Sequence, residues 1–95
     1  MEKDIELYFT TVIKQMGGRC LKWVCPGQRG VPDRIVLLPG GRIWFVEFKT
    51  ETGRPTALQK HWQRVLSRMG FNVCILSGRQ EAEVFIEMIR GGGRI

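Results

Sequence analysis

Three residues stand out for the chemistry they could do together: Asp33 in GVPD, and Glu47 and Lys49 in VEFK. Between Leu7 and Gly78 the chain carries eleven Lys and Arg but only three acids, Asp33, Glu47 and Glu51. Two of those acids share the stretch GVPDRIVLLPGGRIWFVEFKT. Carboxylates held close to one another repel unless a cation or a proton lies between them. Mg²⁺ or Mn²⁺ suits such a pair, because these ions take oxygen ligands and keep several waters; two carboxylates, a carbonyl and a phosphate oxygen are enough. A lysine alongside can position or deprotonate an attacking water, or neutralise charge building on a phosphate. The plainer reading has Asp33 as a turn residue after proline, and Glu47 and Lys49 as a solvated strand end.

The acids meet only if the elements carrying them are in the right register. Residues 34–38 and 42–49 read as strands joined by Pro39-Gly40-Gly41, a hairpin signal. If Leu38 lies opposite Arg42, Asp33 falls opposite Glu47, and directly opposed residues on one face have Cβ atoms roughly 4.5–5.5 Å apart. Lys49 shares the face of Glu47. A two-residue turn at Gly40-Gly41 would instead set Asp33 opposite Phe48 and throw the acids onto different faces. The second strand has apolar residues on both faces, with Trp44, Val46 and Phe48 on one and Ile43 and Phe45 on the other, which predicts an inner strand covered on both sides. A glutamate in that setting is costly to bury without a ligand.

The remaining elements follow from periodicity. Ile5, Phe9, Val12, Ile13 and Met16 predict a helix over residues 2–16, ended by Gly17-Gly18. Residues 19–24 alternate as a strand, and the loop PGQRGVP follows. Leu58, Trp62, Val65, Leu66 and Met69 form one stripe of a helix over residues 56–69, closed by Gly70. Residues 71–76 read as a short strand, and residues 80–89 as a helix offering Ala82, Phe85, Ile86 and Ile89 to the core. The order α-β-β-β-α-β-α predicts an α/β fold, a mixed sheet with helices on its faces.

Size and charge narrow the function. Ninety-five residues with 43% apolar content suit one domain over residues 1–95, with residues 91–95 as a frayed tail. No apolar run approaches the roughly 20 residues that span a bilayer, and the acidic start lacks the layout of a secretion signal, so a soluble, intracellular protein is expected. Cys20, Cys25 and Cys74 have no CxxC or histidine partners at zinc spacing, and read as small core residues. The net charge of +6 is concentrated in the middle of the chain, which favours a polyanionic partner. An Arg-rich surface serving solubility alone is the plainer reading.

Gly30-Val31-Pro32-Asp33, Glu47-Phe48-Lys49 and the downstream Gln59 together resemble the VRR-NUC branch of the PD-(D/E)xK nucleases, from the Ile5-Glu6 segment to residues 71–76. The family occurs as small stand-alone viral and bacterial proteins and as the nuclease module of a DNA-repair enzyme. The resemblance implies a restriction-endonuclease-like fold and a metal-dependent phosphodiesterase acting on DNA. It implies Asp33, Glu47 and the main-chain carbonyl of Phe48 as ligands of Mg²⁺ or Mn²⁺, and Lys49 as the catalytic lysine. Family members also place a glutamate of the first helix near the metal, directly or through water. Glu6 fits, on the border of the buried stripe beside Phe9 and Ile13, with Glu2 the fallback one turn earlier; either could equally be an acid favoured by the helix N-terminus. Gln59 has two readings, as the family's glutamine at the active site and as N3 of a T-x-x-Q capping box begun by Thr56. Gln63, one turn on, could share its face, whereas His61 faces elsewhere.

Arg29, Arg34, Arg54, Lys60, Arg64 and Arg68 are candidate contacts to a DNA backbone, or else solvated charges. These residues lead to the expectation of a metal-dependent DNA endonuclease in the cytoplasm of a bacterium or phage-infected cell. Branched or four-way-junction DNA is the expected partner, cut by a homodimer that offers two sites. The alternative is a basic nucleic-acid-binding module without chemistry.

Overall fold

The computed structural model describes residues 3–91. Their order is α1 (Lys3–Gln15), β1 (Arg19–Lys22), β2 (Arg34–Leu38), β3 (Arg42–Lys49), α2 (Ala57–Arg68), β4 (Asn72–Ser77) and α3 (Gly78–Arg90). The four strands form one mixed sheet in the order β1-β2-β3-β4. β1, β2 and β3 are antiparallel neighbours, and β4 joins β3 in parallel through the α2 crossover. This is the α/β architecture and element order that the sequence predicts. Glu2 and residues 92–95, and with them the first-helix fallback acid and most of the expected tail, lie outside the described residues.

The hairpin adopts the three-residue turn. Leu38 pairs with Arg42 and Arg34 with Val46, while Gly40 and Gly41 take positive φ values of 82° and 74°, conformations that cost glycine little. This register decides which side chains face which layer. Val36, Leu38, Trp44, Val46 and Phe48 turn to one face and meet Phe9 and Ile13 of α1 and Phe85, Ile86 and Ile89 of α3. Phe9 stands edge-on to Phe48 at 5.0 Å, and Phe85 edge-on to Trp44 at 5.1 Å. Burying each such side chain contributes about 1.5–3 kcal/mol, so the hairpin is held by the same layer that anchors α1.

The opposite face carries Trp23, Phe45 and Phe71, in contact through ring centroids 5.1 and 5.6 Å apart, and α2 covers it only in part. Of the stripe expected to be buried on α2, only Leu66 is; Leu58 and Met69 are 43% and 65% exposed. One helix laid near β4 cannot roof a four-stranded face, and the ends of its apolar stripe overhang. Two smaller expectations also change. β1 ends at Lys22, although the Trp23 N–H still donates to the Asp33 carbonyl at 2.9 Å. Cys20 and Cys74 pack against the core, whereas Cys25 lies in the loop after β1. No helix among the described residues is long and apolar enough to cross a membrane.

Candidate active site

The loop before β2 is shaped by its glycine and proline. Gly30 has φ of 87° and passes so near the start of α2 that a Cβ there would lie 2.8 Å from the Leu58 carbonyl carbon, so only glycine lets loop and helix approach this closely. Pro32 is fully buried. Together they deliver Asp33 to the base of the hairpin, one step beyond the Arg34–Val46 pair. Continuing that register sets Asp33 opposite Glu47, and Asp33 Oδ1 accepts the Phe48 N–H at 3.2 Å.

Glu47 sits on an inner strand between Val46 and Phe48 and is 5% exposed, the one charged residue in the buried set of described residues. Its Oε2 accepts from Gln59 Nε2 at 3.2 Å and faces Lys49 Nζ at 3.9 Å. Burial first, and then the Asp33 carboxylate, push the Glu47 carboxyl up to about 7, against the pull of Lys49. Asp33 has an exposed outer edge, but the protein crowding its carboxyl raises that group too, opposed by the Phe48 N–H and Arg34. Two acids each held above the usual carboxylate range form a site that favours a cation or a proton. The oxygen-rich donors suit a hard divalent ion that keeps some of its waters.

No three His, Cys, Asp or Glu side chains among the described residues gather into a ready metal cluster. Asp33 and Glu47 form a pair. Glu6 lines a cleft of about 320 Å³ with Asp33, Lys22, Trp23, Val24 and Arg34, but its Oε1 accepts from Arg34 Nη2 at 2.8 Å. Cys20 is also nearby; burial pushes its thiol up to about 11, so it stays protonated and is a poor ligand.

Of the residues singled out by sequence, Asp33, Glu47, Phe48, Lys49 and Gln59 come together at one end of the sheet, and Glu6 borders them. The Gln59 side chain that donates to Glu47 also completes the capping box with Thr56. His61 is exposed on α2. Arg29, Arg54, Lys60, Arg64 and Arg68 are exposed and make no hydrogen bond or ion pair within the described residues. Arg34, grouped with them by sequence, instead turns inward, 12% exposed and committed to Glu6, because the even-numbered positions of β2 face α1. Lys22 and Trp23 were not singled out. The β1–β2 register, which carries Trp23 to Asp33, is the signal that would have found them.

Known proteins share this fold and sequence. No protein-family model matches the sequence. A phage protein named "Putative nuclease p44", from Acyrthosiphon pisum secondary endosymbiont phage 1, is 37% identical over 83 residues, spanning 87% of this chain and 89% of its own. A solved structure described as a VRR_NUC domain superposes with a TM-score of 0.83 at 31% identity, covering 90% of this chain and 94% of that one. Shared fold, shared sequence over nearly the whole length and a carboxylate pair at the hairpin base lead to one assignment: the chain belongs to the VRR-NUC family of nucleases.

Proposed function

We propose that the protein is a divalent-metal-dependent DNA endonuclease, its residues 1–95 forming one nuclease domain that acts inside a bacterial or phage-infected cell. The observation that carries this is the buried Glu47, set by the hairpin register against Asp33 and flanked by Lys49 and Gln59. A structural role gives no reason to bury a glutamate beside a second acid, which costs stability. Asp33, Glu47 and the Phe48 carbonyl would hold Mg²⁺ or Mn²⁺, and Glu6, which shares a cleft with Asp33, would act on the ion through water. Such an ion would polarise the scissile phosphate and lower the pKa of the attacking water.

This chain's own residues do the rest. Lys49 places a positive charge at the edge of the pair, where it orients the water or offsets charge on the phosphate as the new O–P bond forms and the ester O–P bond breaks. Gln59 holds Glu47 by one oxygen. The five outward cations offer phosphate contacts, and Arg64 and Arg68 border a groove of about 400 Å³ with Gln63 and Ser67. Such contacts position DNA without reading its sequence.

Selectivity for branched DNA belongs to the same proposal. A homodimer presents two sites and suits a four-way junction, whereas a monomer suits flaps or nicks. Labelled junctions, flaps, nicks and duplexes incubated with each divalent ion test the whole reading. Metal-dependent cutting that disappears in EDTA and favours branched substrates supports it. Tight binding without cleavage under every ion would leave a nucleic-acid-binding module. Sedimentation of the free protein separates two-site from one-site cutting.

A further inference from the structure

We propose that Thr56 is a positioning residue for Glu47, acting through Gln59: the capping box that starts α2 fixes the Gln59 amide with its NH₂ end on the Glu47 carboxylate. This rests on Asp33 and Glu47 being the hydrolytic pair.

Three hydrogen bonds define the relay. The Thr56 N–H donates to Gln59 Oε1 at 2.9 Å, Thr56 Oγ1 accepts the Gln59 N–H at 3.1 Å, and Gln59 Nε2 donates to Glu47 Oε2 at 3.2 Å. The two ends of an amide are chemically distinct, its oxygen only accepting and its nitrogen only donating. The Thr56 N–H can only donate, and an ionised carboxylate can only accept. A flipped Gln59 would therefore set oxygen against oxygen at Glu47 and N–H against N–H at Thr56. One orientation satisfies both neighbours, and the cap selects it.

The residue type at this position makes the same point. A capping box is completed equally well by glutamate or glutamine at N3, and the first turn of a helix favours a negative charge. Helix formation alone would accept Glu here, and α2 has no acid in its first turn. Glutamine is needed only because the far end of the side chain meets a carboxylate. The bond also closes the loop that runs from Lys49 to Thr56, tying the end of β3 to the start of α2. Without Oγ1 the Thr56 main-chain N–H remains but is no longer pinned over the first turn, so the amide can rotate and leave Glu47 without a fixed donor.

The test uses the full chain and the variants Thr56→Ala, Thr56→Ser and Gln59→Glu. In the metal-free protein at pH 8, where the Glu47 carboxyl is ionised, side-chain NH₂ signals in ¹⁵N NMR report the amide directly, those of Gln59 being the pair that Gln59→Glu removes. Wild type and Thr56→Ser should show that pair displaced from free-amide positions, and Thr56→Ala should move it back. With Mn²⁺ and cleavable DNA, Thr56→Ala should lower kcat about 10-fold with little change in KM, the usual scale for removing an outer partner of a metal site, and Thr56→Ser should restore it. Gln59→Glu should keep first-turn amide protection yet lose at least as much rate. An unmoved NH₂ pair and unchanged kcat in Thr56→Ala, whatever its Tm, would reduce Thr56 to a helix cap, as would full activity in Gln59→Glu. If wild type cuts no DNA with any ion, the nuclease reading fails, while the metal-free NH₂ signals still decide the relay.

Discussion

The Phe48 N–H donates to Asp33 Oδ1 at 3.2 Å, so a ladder position at the end of β2 is completed by a side chain rather than by a main-chain carbonyl. That bond fixes one oxygen of Asp33 against the strand carrying Glu47. It also separates two jobs of the same residue, because an amide oxygen can accept the Phe48 N–H as well as a carboxylate can. Asp33→Asn should therefore keep the fold and a Tm within a few degrees of wild type. It should lose metal-dependent cleavage and weaken Mn²⁺ binding by calorimetry at least 10-fold. Retained cleavage would remove Asp33 from the site.

Glu47 should make the metal-free protein less stable as pH rises. Its folded pKa, about 7 against an ordinary value of 4.5, is raised, so between those values the folded state binds more protons than the unfolded one and stability falls with rising pH. Asp33 is raised too and contributes in the same direction. Tm of the metal-free protein should drop from pH 5 to pH 8, corresponding to a loss of about 3 kcal/mol for Glu47 at most. Divalent ions should restore Tm at pH 8 and do little at pH 5. Glu47→Gln should flatten the profile, raise metal-free Tm at pH 8 and abolish cleavage. A Tm that climbs from pH 5 to pH 8 in wild type would show that Glu47 is not held in this way.

Gly30→Ala tests the close approach of loop and helix. The added methyl meets Leu58 at a position with positive φ, so strain and crowding act together, at a cost of about 1–3 kcal/mol. Because Gly30 lies three residues before Asp33 and Leu58 beside Gln59, cleavage should fall more than the reduced stability explains at temperatures where the variant is still folded. Equal Tm and equal activity would show that the approach is not needed.

Much of this was legible in the sequence. β2 and β3 are bounded as expected because a Pro-Gly-Gly turn and an alternating pattern constrain the same hairpin, and the register brings together the acids that a two-residue turn would have parted. Coverage by α2 was not legible, since periodicity reports which residues share a helix face but not how much surface lies beneath it. Nor was the Glu6–Arg34 bond, made between residues 28 positions apart on elements whose packing angle no local pattern encodes. Thr56 and Gln59 were readable as a cap. That the same amide reaches Glu47 required the fold.

Arg64→Ala with Arg68→Ala tests the outward cations. If both side chains neutralise phosphates, the slope of log affinity against log salt should become shallower by about 0.9 for each of them on duplex DNA. Cleavage of bound substrate should be little changed, since neither residue touches the carboxylate pair. A slope identical to wild type would make them solvated charges only.

The most direct measurement is anomalous diffraction from crystals soaked in Mn²⁺ at pH 8. A peak bridging the carboxylates of Asp33 and Glu47, and vanishing in Glu47→Gln crystals soaked alongside, is the predicted result. Ordered carboxylates with no peak between them, in crystals of protein that cuts DNA with Mn²⁺ in solution, would contradict the assignment of the hairpin acids as the metal-holding pair.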